Sequence, residues 1–324
     1  MIYLVIFAVL FALELFYLRI ADHFDIVDKP NERSSHTIIT RRGGGVIFYL
    51  AVLIYFLTSD FAYSWFFLGL TMTAIVSFID DICTLSNRIR LLIQFGAVLL
   101  MAYELNVLVM EWYFLLIAFV VIVGVINAYN FMDGINGITA SYSLALGGTL
   151  MIINNRVGFL DQDLLAYVML GVLVFAFFNF RYKAKCFAGD VGSVTIAYVL
   201  LFALGTLIIK TGNLIYFLLL AVYGIDTVWT ILRRLYLKEN IFEAHRSHLY
   251  QILVNEVGAN SLIVSFLYGG IQFVIGLGVI YFADKEIGVR WLFTFVLLGG
   301  LSIIYLLLKS WSIKTHLTMN LDEE

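Results

Sequence analysis

The sequence predicts an all-α, polytopic transmembrane bundle of about 10 to 11 spanning helices, with the N-terminus outside and the functional face on the cytoplasmic side. Three observations carry this. Of 324 residues, 62% are hydrophobic and only 13% charged, and the mean hydropathy of +0.96 would make a soluble domain aggregate. Apolar runs of roughly the length that spans a bilayer recur along the whole chain. Finally, the basic residues are sorted between alternate connections.

Eleven runs are legible, at about 1–18, 44–59, 62–79, 91–105, 112–129, 138–153, 163–180, 191–209, 213–231, 260–282 and 290–308. Several are short, which is why ten is the lower count. The first lacks a basic leader and a small-residue cleavage site, so it reads as a retained helix rather than a signal peptide. With the N-terminus outside, only Arg156, Lys210, Lys285 and Arg290 of the 20 Lys and Arg fall in outward connections. The positive-inside rule therefore sets the orientation and places the C-terminus inside. Cys83 and Cys186 then both lie on the cytoplasmic side, show no metal spacing, and are expected to be reduced.

The outward connections are short, whereas the inward ones are long and rich in polar residues. No long-period repeat or low-complexity tract divides the chain, so residues 1–324 read as one membrane domain. Nothing in it suggests a nucleic-acid partner, and the pattern leaves a homodimer open.

Five inward segments could carry chemistry. In "SFIDDICTLSNRIRLLIQ", Asp80 and Asp81 leave the end of an apolar helix. Two adjacent carboxylates there call for a cation or a divalent metal to offset desolvation and repulsion, although one such acid could simply mark a polar helix end. In "NAYNFMDGING", Asn127, Asn130 and Asp133 share a helical face, followed by Gly134, Asn136 and Gly137. Amide and carboxylate oxygens suit Mg²⁺, and the same row would also serve as interhelical hydrogen bonding. In "CFAGDVGSV", Asp190 opens a helix between Gly189 and Gly192. A metal or phosphate corner and an ordinary N-cap explain it equally well.

"EAHRSHLYQ" places His245, Arg246 and His248 behind a basic helix end. Guanidinium and imidazole favour anionic oxygens, and the spacing offers too few ligands for zinc. "RSSHTIITRRGGG", residues 33–45, includes Arg42 and a glycine run able to lie against phosphates. Acids and amides for Mg²⁺ together with basic groups for phosphates are the equipment of phosphoryl transfer. There is no Walker or kinase signature. A secondary transporter is the alternative class, but it would place its ionisable groups near the bilayer midplane in repeated halves. Glu14 reads as the only acid clearly inside a span.

In this order and spacing, "DDICTLSNRIRLLIQ", "NAYNFMDGING", "GDVGS" and "HRSHLYQ" resemble the polyprenyl-phosphate N-acetylhexosamine-1-phosphate transferases, the MraY and WecA group of glycosyltransferase family 4. The resemblance runs from about residue 28 to 255, and "EAHRSHLYQ" looks more like the WbpL-type enzymes that begin O-antigen synthesis. It implies transfer of a sugar 1-phosphate from a UDP-N-acetylhexosamine to undecaprenyl phosphate, with release of UMP, at a bacterial inner membrane. The WbpL-like loop points to N-acetylfucosamine or N-acetylquinovosamine, with N-acetylglucosamine close behind.

By motif position, Asn130 and Asp190 would hold Mg²⁺ or Mn²⁺. Asp80, Asp81, Asp133, His245 and His248 would form the catalytic set, with the Asp80/Asp81 pair acting on the lipid phosphate. Asn127, Asp133, Asn136, Arg246 and Arg42 would bind substrate. Two departures stand out. The glycine loop usually carries prolines, while Pro30 is the only proline here. Asn136 also stands where many relatives have Asp, which argues against a catalytic carboxylate at that position.

Overall fold

The computed structural model describes residues 1–30, 38–240 and 246–322. His245 and the 31–37 part of the arginine- and glycine-containing loop lie outside these residues. Among the described residues the fold is helical, as expected, apart from one minimal antiparallel pair, β1 (Val27–Asp28) with β2 (Thr40–Arg41), inside the first inward connection.

All eleven apolar runs fall on helices. They are α1 (Ile2–His23), α2 (Val46–Thr58), α3 (Ser64–Ile82), α4 (Asn87–Glu104), α5 (Trp112–Met132), α6 (Ile138–Val157), α7 (Gln162–Asn179), α8 (Gly189–Thr211), α9 (Ala221–Tyr236) with the 3₁₀ segment Leu214–Leu220 leading into it, α11 (Ser261–Phe282) and α12 (Ile287–Asp322). The short α10 (Leu249–Asn255) lies in the last long inward connection, where no helix was expected.

Eleven helical runs of this kind are consistent with the 10 to 11 spans expected. By length and composition, eight helices are apolar enough to cross a membrane among the described residues, with α2 a shorter apolar helix. α4 and α6 fall outside the eight for a physical reason. α6 carries Thr139, Ser143, Thr149 and Asn154 fully or almost fully buried, so neighbouring helices rather than lipid surround its polar side chains. A helix sheltered in this way need not be apolar all round.

α8 is the central helix, with 78% of its apolar window buried, whereas the corresponding figures for α5 and α12 are 22% and 6%. Its position depends on close approach. Gly45 at the start of α2 faces Gly192 on the first turn of α8, and a Cβ on either would collide with the backbone of the other. Tyr198 on α8 donates to the Ala97 carbonyl of α4 at 2.7 Å, a polar link between helices of the type membrane bundles use.

At Leu220 the chain changes from 3₁₀ to α, which disturbs the regular ladder of backbone hydrogen bonds. Gln272 on α11 accepts from the Val222 N–H at 3.1 Å and from the Tyr142 hydroxyl at 3.1 Å. A backbone donor that would be costly to leave unpaired in an apolar interior is thereby satisfied.

Replacing Gly192 by Val should separate α2 from α8 and cost about 1–3 kcal/mol through overpacking, read as a lowered thermal midpoint in detergent. Gly224 on α9 has open space where a Cβ would stand, so Gly224→Ala should leave the midpoint unchanged or raised.

Candidate active site

Helices α3, α5, α7, α9 and α12 end, and α2, α4, α6, α8 and α11 begin, at the same end of the bundle, and there the polar motifs meet. Asp81, in the last turn of α3, has a side chain with no exposure. Its Oδ1 accepts from the Asp190 N–H at 2.8 Å and its Oδ2 from the Val191 N–H at 3.0 Å. A helix start presents N–H groups without partners and a positive dipole end. A carboxylate from another helix therefore caps α8 from outside.

Gly189 supports this contact. Its φ of +71° lies in the left-handed region, and a Cβ there would strike the Asp81 carboxylate. The N-cap reading of Asp190 is thus corrected. α8 is capped at residue Ala188 with no side-chain bond of its own, and Asp81 does the capping, which leaves the Asp190 carboxylate for other partners.

Those partners are guanidiniums. Arg42 contacts Asp81 at 2.7 Å and Asp190 at 3.1 Å. Arg90, in the first turn of α4, contacts Asp80 at 2.9 Å and Asp190 at 3.6 Å. Asp80 also accepts from the Leu85 N–H at 2.6 Å, closing the turn between α3 and α4. Three carboxylates and two guanidiniums alternate, so the repulsion expected between Asp80 and Asp81 is balanced by arginines. Arg90 was missed as a site residue. Its signal was its place in "SNRIR", in the first turn of the helix that follows the acids.

Asn130, on α5, accepts from Ser193 Oγ at 3.3 Å, and the same hydroxyl lies 3.4 Å from the Asp190 carbonyl. The amide oxygen and the Asp190 carboxylate therefore flank the first turn of α8. Asp133, just past α5, accepts from Thr139 Oγ1 at 2.5 Å. Burial pushes its carboxyl up to about 6, partly offset by that hydroxyl.

The remaining expected residues are less central. Asn127 donates to Gln94 at 3.1 Å and to the Val123 carbonyl at 2.8 Å. It serves as the interhelical hydrogen bond that the sequence left open, because Gln94 of α4 meets it one turn before the site. Asn136 donates to the carbonyls of Arg181 and Tyr182 at 2.9 and 3.2 Å, tying the turn after α5 to the loop after α7. The glycine run is also packed against protein: Gly43 faces Tyr17, Gly44 faces Cys186, and Gly45 faces α8.

His248 is buried and opens α10 with a reciprocal capping box to Gln251. Its neighbour Arg246 is half-buried. Both cysteines are free, Cys83 exposed and Cys186 buried.

Hard oxygen donors from Asn130 and Asp190 fit a cation of the Mg²⁺ type. Among the described residues no three His, Cys, Asp or Glu side chains come together as a metal cage. An ion held by this pair would complete its shell with water and ligand oxygens, the usual habit of Mg²⁺.

Fold and site together define a polytopic helical membrane protein with a part-buried cluster of paired carboxylates and guanidiniums at one end of the bundle. Residues 63–210 of the chain match the model of glycosyl transferase family 4. It is 27% identical over 322 residues to the probable undecaprenyl-phosphate N-acetylglucosaminyl 1-phosphate transferase of Bacillus subtilis, covering 88% of this chain and 85% of that one. It is 26% identical over 241 residues to the undecaprenyl-phosphate alpha-N-acetylglucosaminyl 1-phosphate transferase of Thermotoga maritima, covering 72% and 75%. The phospho-N-acetylmuramoyl-pentapeptide-transferase of Thermotoga maritima is 28% identical over 195 residues, covering 54% and 62%.

Asp81→Ala should strand the N–H groups of α8 and leave Arg42 half-paired. Breaking a buried pair of this kind costs about 3–5 kcal/mol, so the variant should show a sharply lower thermal midpoint in detergent. An unchanged midpoint would show that Asp81 does not hold α8.

Proposed function

We propose that this protein transfers a sugar 1-phosphate from a UDP-N-acetylhexosamine to undecaprenyl phosphate. The site would face the cytoplasm at a bacterial inner membrane, where the reaction would begin synthesis of an O-antigen or another envelope polysaccharide. The observation that carries the reading is the meeting of Asp80, Asp81, Asp190 and Asn130 with Arg42 and Arg90 at one end of a membrane bundle. The names of the relatives in the family support it.

In this reaction a phosphate oxygen of the lipid attacks the β-phosphorus of the UDP-sugar. The bond from that phosphorus to the bridging oxygen breaks, UMP leaves with that oxygen, and a new P–O–P link joins lipid and sugar. Positioning and charge neutralisation do most of the work in phosphoryl transfer. Arg42 and Arg90 supply guanidinium forks suited to phosphate oxygens, and the carboxylates they now bridge hold them oriented before substrate arrives.

Asn130 and Asp190 would hold Mg²⁺, which when bound would neutralise charge on the diphosphate. Asp133, beside this pair, would contact the nucleotide end. His248 and Arg246 would approach the phosphates from the α10 side. The acid pair lies at a helix end, at the level of a lipid headgroup, rather than at the midplane expected of a transporter.

Purified protein supplied with undecaprenyl phosphate and a panel of UDP-sugars should release UMP only when Mg²⁺ is present. UDP-N-acetylglucosamine is the first donor to test, given the relatives' names, followed by the N-acetylfucosamine and N-acetylquinovosamine donors. No UMP from any of them would overturn the reading. Asp190→Asn and Asn130→Ala should each abolish turnover in folded protein, and near-normal turnover in both would remove the metal assignment.

A further inference from the structure

Outside this cluster, Asp226 and Lys309 are buried charges with no part in the scheme above. Asp226, on the second turn of α9, is 1% exposed within a helix apolar enough to cross a membrane. It corrects the expectation that Glu14 is the only acid inside a span. An ionisable residue in such a place is costly and points to function, with its partners as the guide.

The partners of Asp226 converge on one short segment. Its Oδ1 lies 3.2 Å from His248 Nδ1 and accepts from the Leu249 N–H at 3.0 Å. Its Oδ2 accepts from the Tyr268 hydroxyl of α11 at 2.8 Å. From the opposite side Lys309 of α12, 5% exposed, donates to the Ser247 carbonyl at 2.8 Å and to the Tyr305 hydroxyl at 2.6 Å. Thr230 joins the two halves, 3.3 Å from Asp226 and 3.4 Å from Lys309.

Two residues further on, Tyr250 donates to the Phe131 carbonyl at 2.8 Å and packs on Gly134 so closely that a Cβ there would collide with its ring. Phe131 and Gly134 bracket Asp133 and directly follow Asn130. The chain of contacts therefore runs from Asp226, through His248 and the start of α10, to the end of α5 that carries the amide and carboxylate of the site.

Packing alone does not require this arrangement. Apolar residues hold helices together as well as or better than a buried ion network. What a carboxylate and an ammonium supply is a fixed register: one accepts the first N–H of α10 and the other grips the carbonyl just before it. We propose that Asp226 is a positioning residue of the active site, which together with Lys309 holds the 246–248 loop and His248 against the end of α5. Its effect on chemistry rests on the transferase reading, whereas its hold on the loop does not.

The test uses the full chain in detergent, with Asp226→Asn, His248→Gln and the double variant. Amide hydrogen exchange reports the local opening of peptides across 246–255, and UMP release reports turnover. Asp226→Asn should raise exchange across 246–255 while peptides of α6 to α8 keep wild-type protection, and should lower kcat by about tenfold or more. Introduced into His248→Gln, the same change should cost less than about a further twofold, because residues acting through one another are not additive.

Unchanged exchange overturns the anchoring claim whether or not the protein releases UMP. Wild-type turnover in Asp226→Asn, or losses that multiply in the double variant, overturns the link to chemistry. If the wild-type protein itself releases no UMP, the transferase reading fails while the exchange measurement still decides the anchoring. Should Asp226→Asn not accumulate, Tyr268→Phe and Lys309→Gln each remove one arm of the network. Both should raise exchange in the same peptides, and wild-type protection in both overturns the proposal.

Discussion

The Asp81 carboxylate at the start of α8 is the contact on which the rest of the structure depends. α8 is the most enclosed membrane helix, and its first N–H groups open into a region short of water. Two of them point at a carboxylate from α3, and the charge this brings in is balanced by Arg42. One side chain thereby joins the end of α3, the entry to α2 and the beginning of α8. The glycines around it follow from that requirement: Gly189 because no side chain fits beside the carboxylate, and Gly45 with Gly192 because α2 and α8 touch there. Folding and the placing of the charged groups are the same event at this end of the molecule.

This coupling also explains the character of the site. Three acids in a membrane protein would repel one another and resist burial. Here each acid touches an arginine, and Asp190 is shared by two. Three carboxylates and two guanidiniums paired in this way form an array that is strongly polar yet carries little net charge. Preorganised charges of this kind cost little to reorganise when a reaction develops charge.

Much of this was legible in the sequence, and the rest was not for identifiable reasons. Apolar runs gave every long helix, because length and hydropathy are local properties. They did not show how α4 and α6, the more polar of them, are sheltered, since whether a helix meets lipid or protein depends on its neighbours. Spacing put Asn127 and Asn130 on one face correctly. It could not tell that Gln94 would meet the first and Ser193 the second, which is settled by helices 33 and 63 residues away along the chain. The glycine run read as a phosphate loop, but its neighbours proved to be Tyr17, Cys186 and α8. Asp226 was in plain view inside an apolar run, although its partners at 248, 268 and, by way of Thr230, 309 were beyond any local pattern.

The distance in sequence between Asp226 and Lys309 has a consequence for biogenesis. α9 leaves the ribosome carrying an acid in its apolar stretch, and the lysine that shares Thr230 with it is made 83 residues later. Until α11 and α12 arrive, α9 holds a carboxylate that the bilayer interior disfavours. The Leu249 N–H and the Tyr268 hydroxyl that the carboxylate accepts from exist only once the chain has been made through α11. The final quarter of the chain therefore completes the membrane integration of a helix made well before it, and a nascent chain cut short of α12 would be left with an unfinished bundle as well as an open loop.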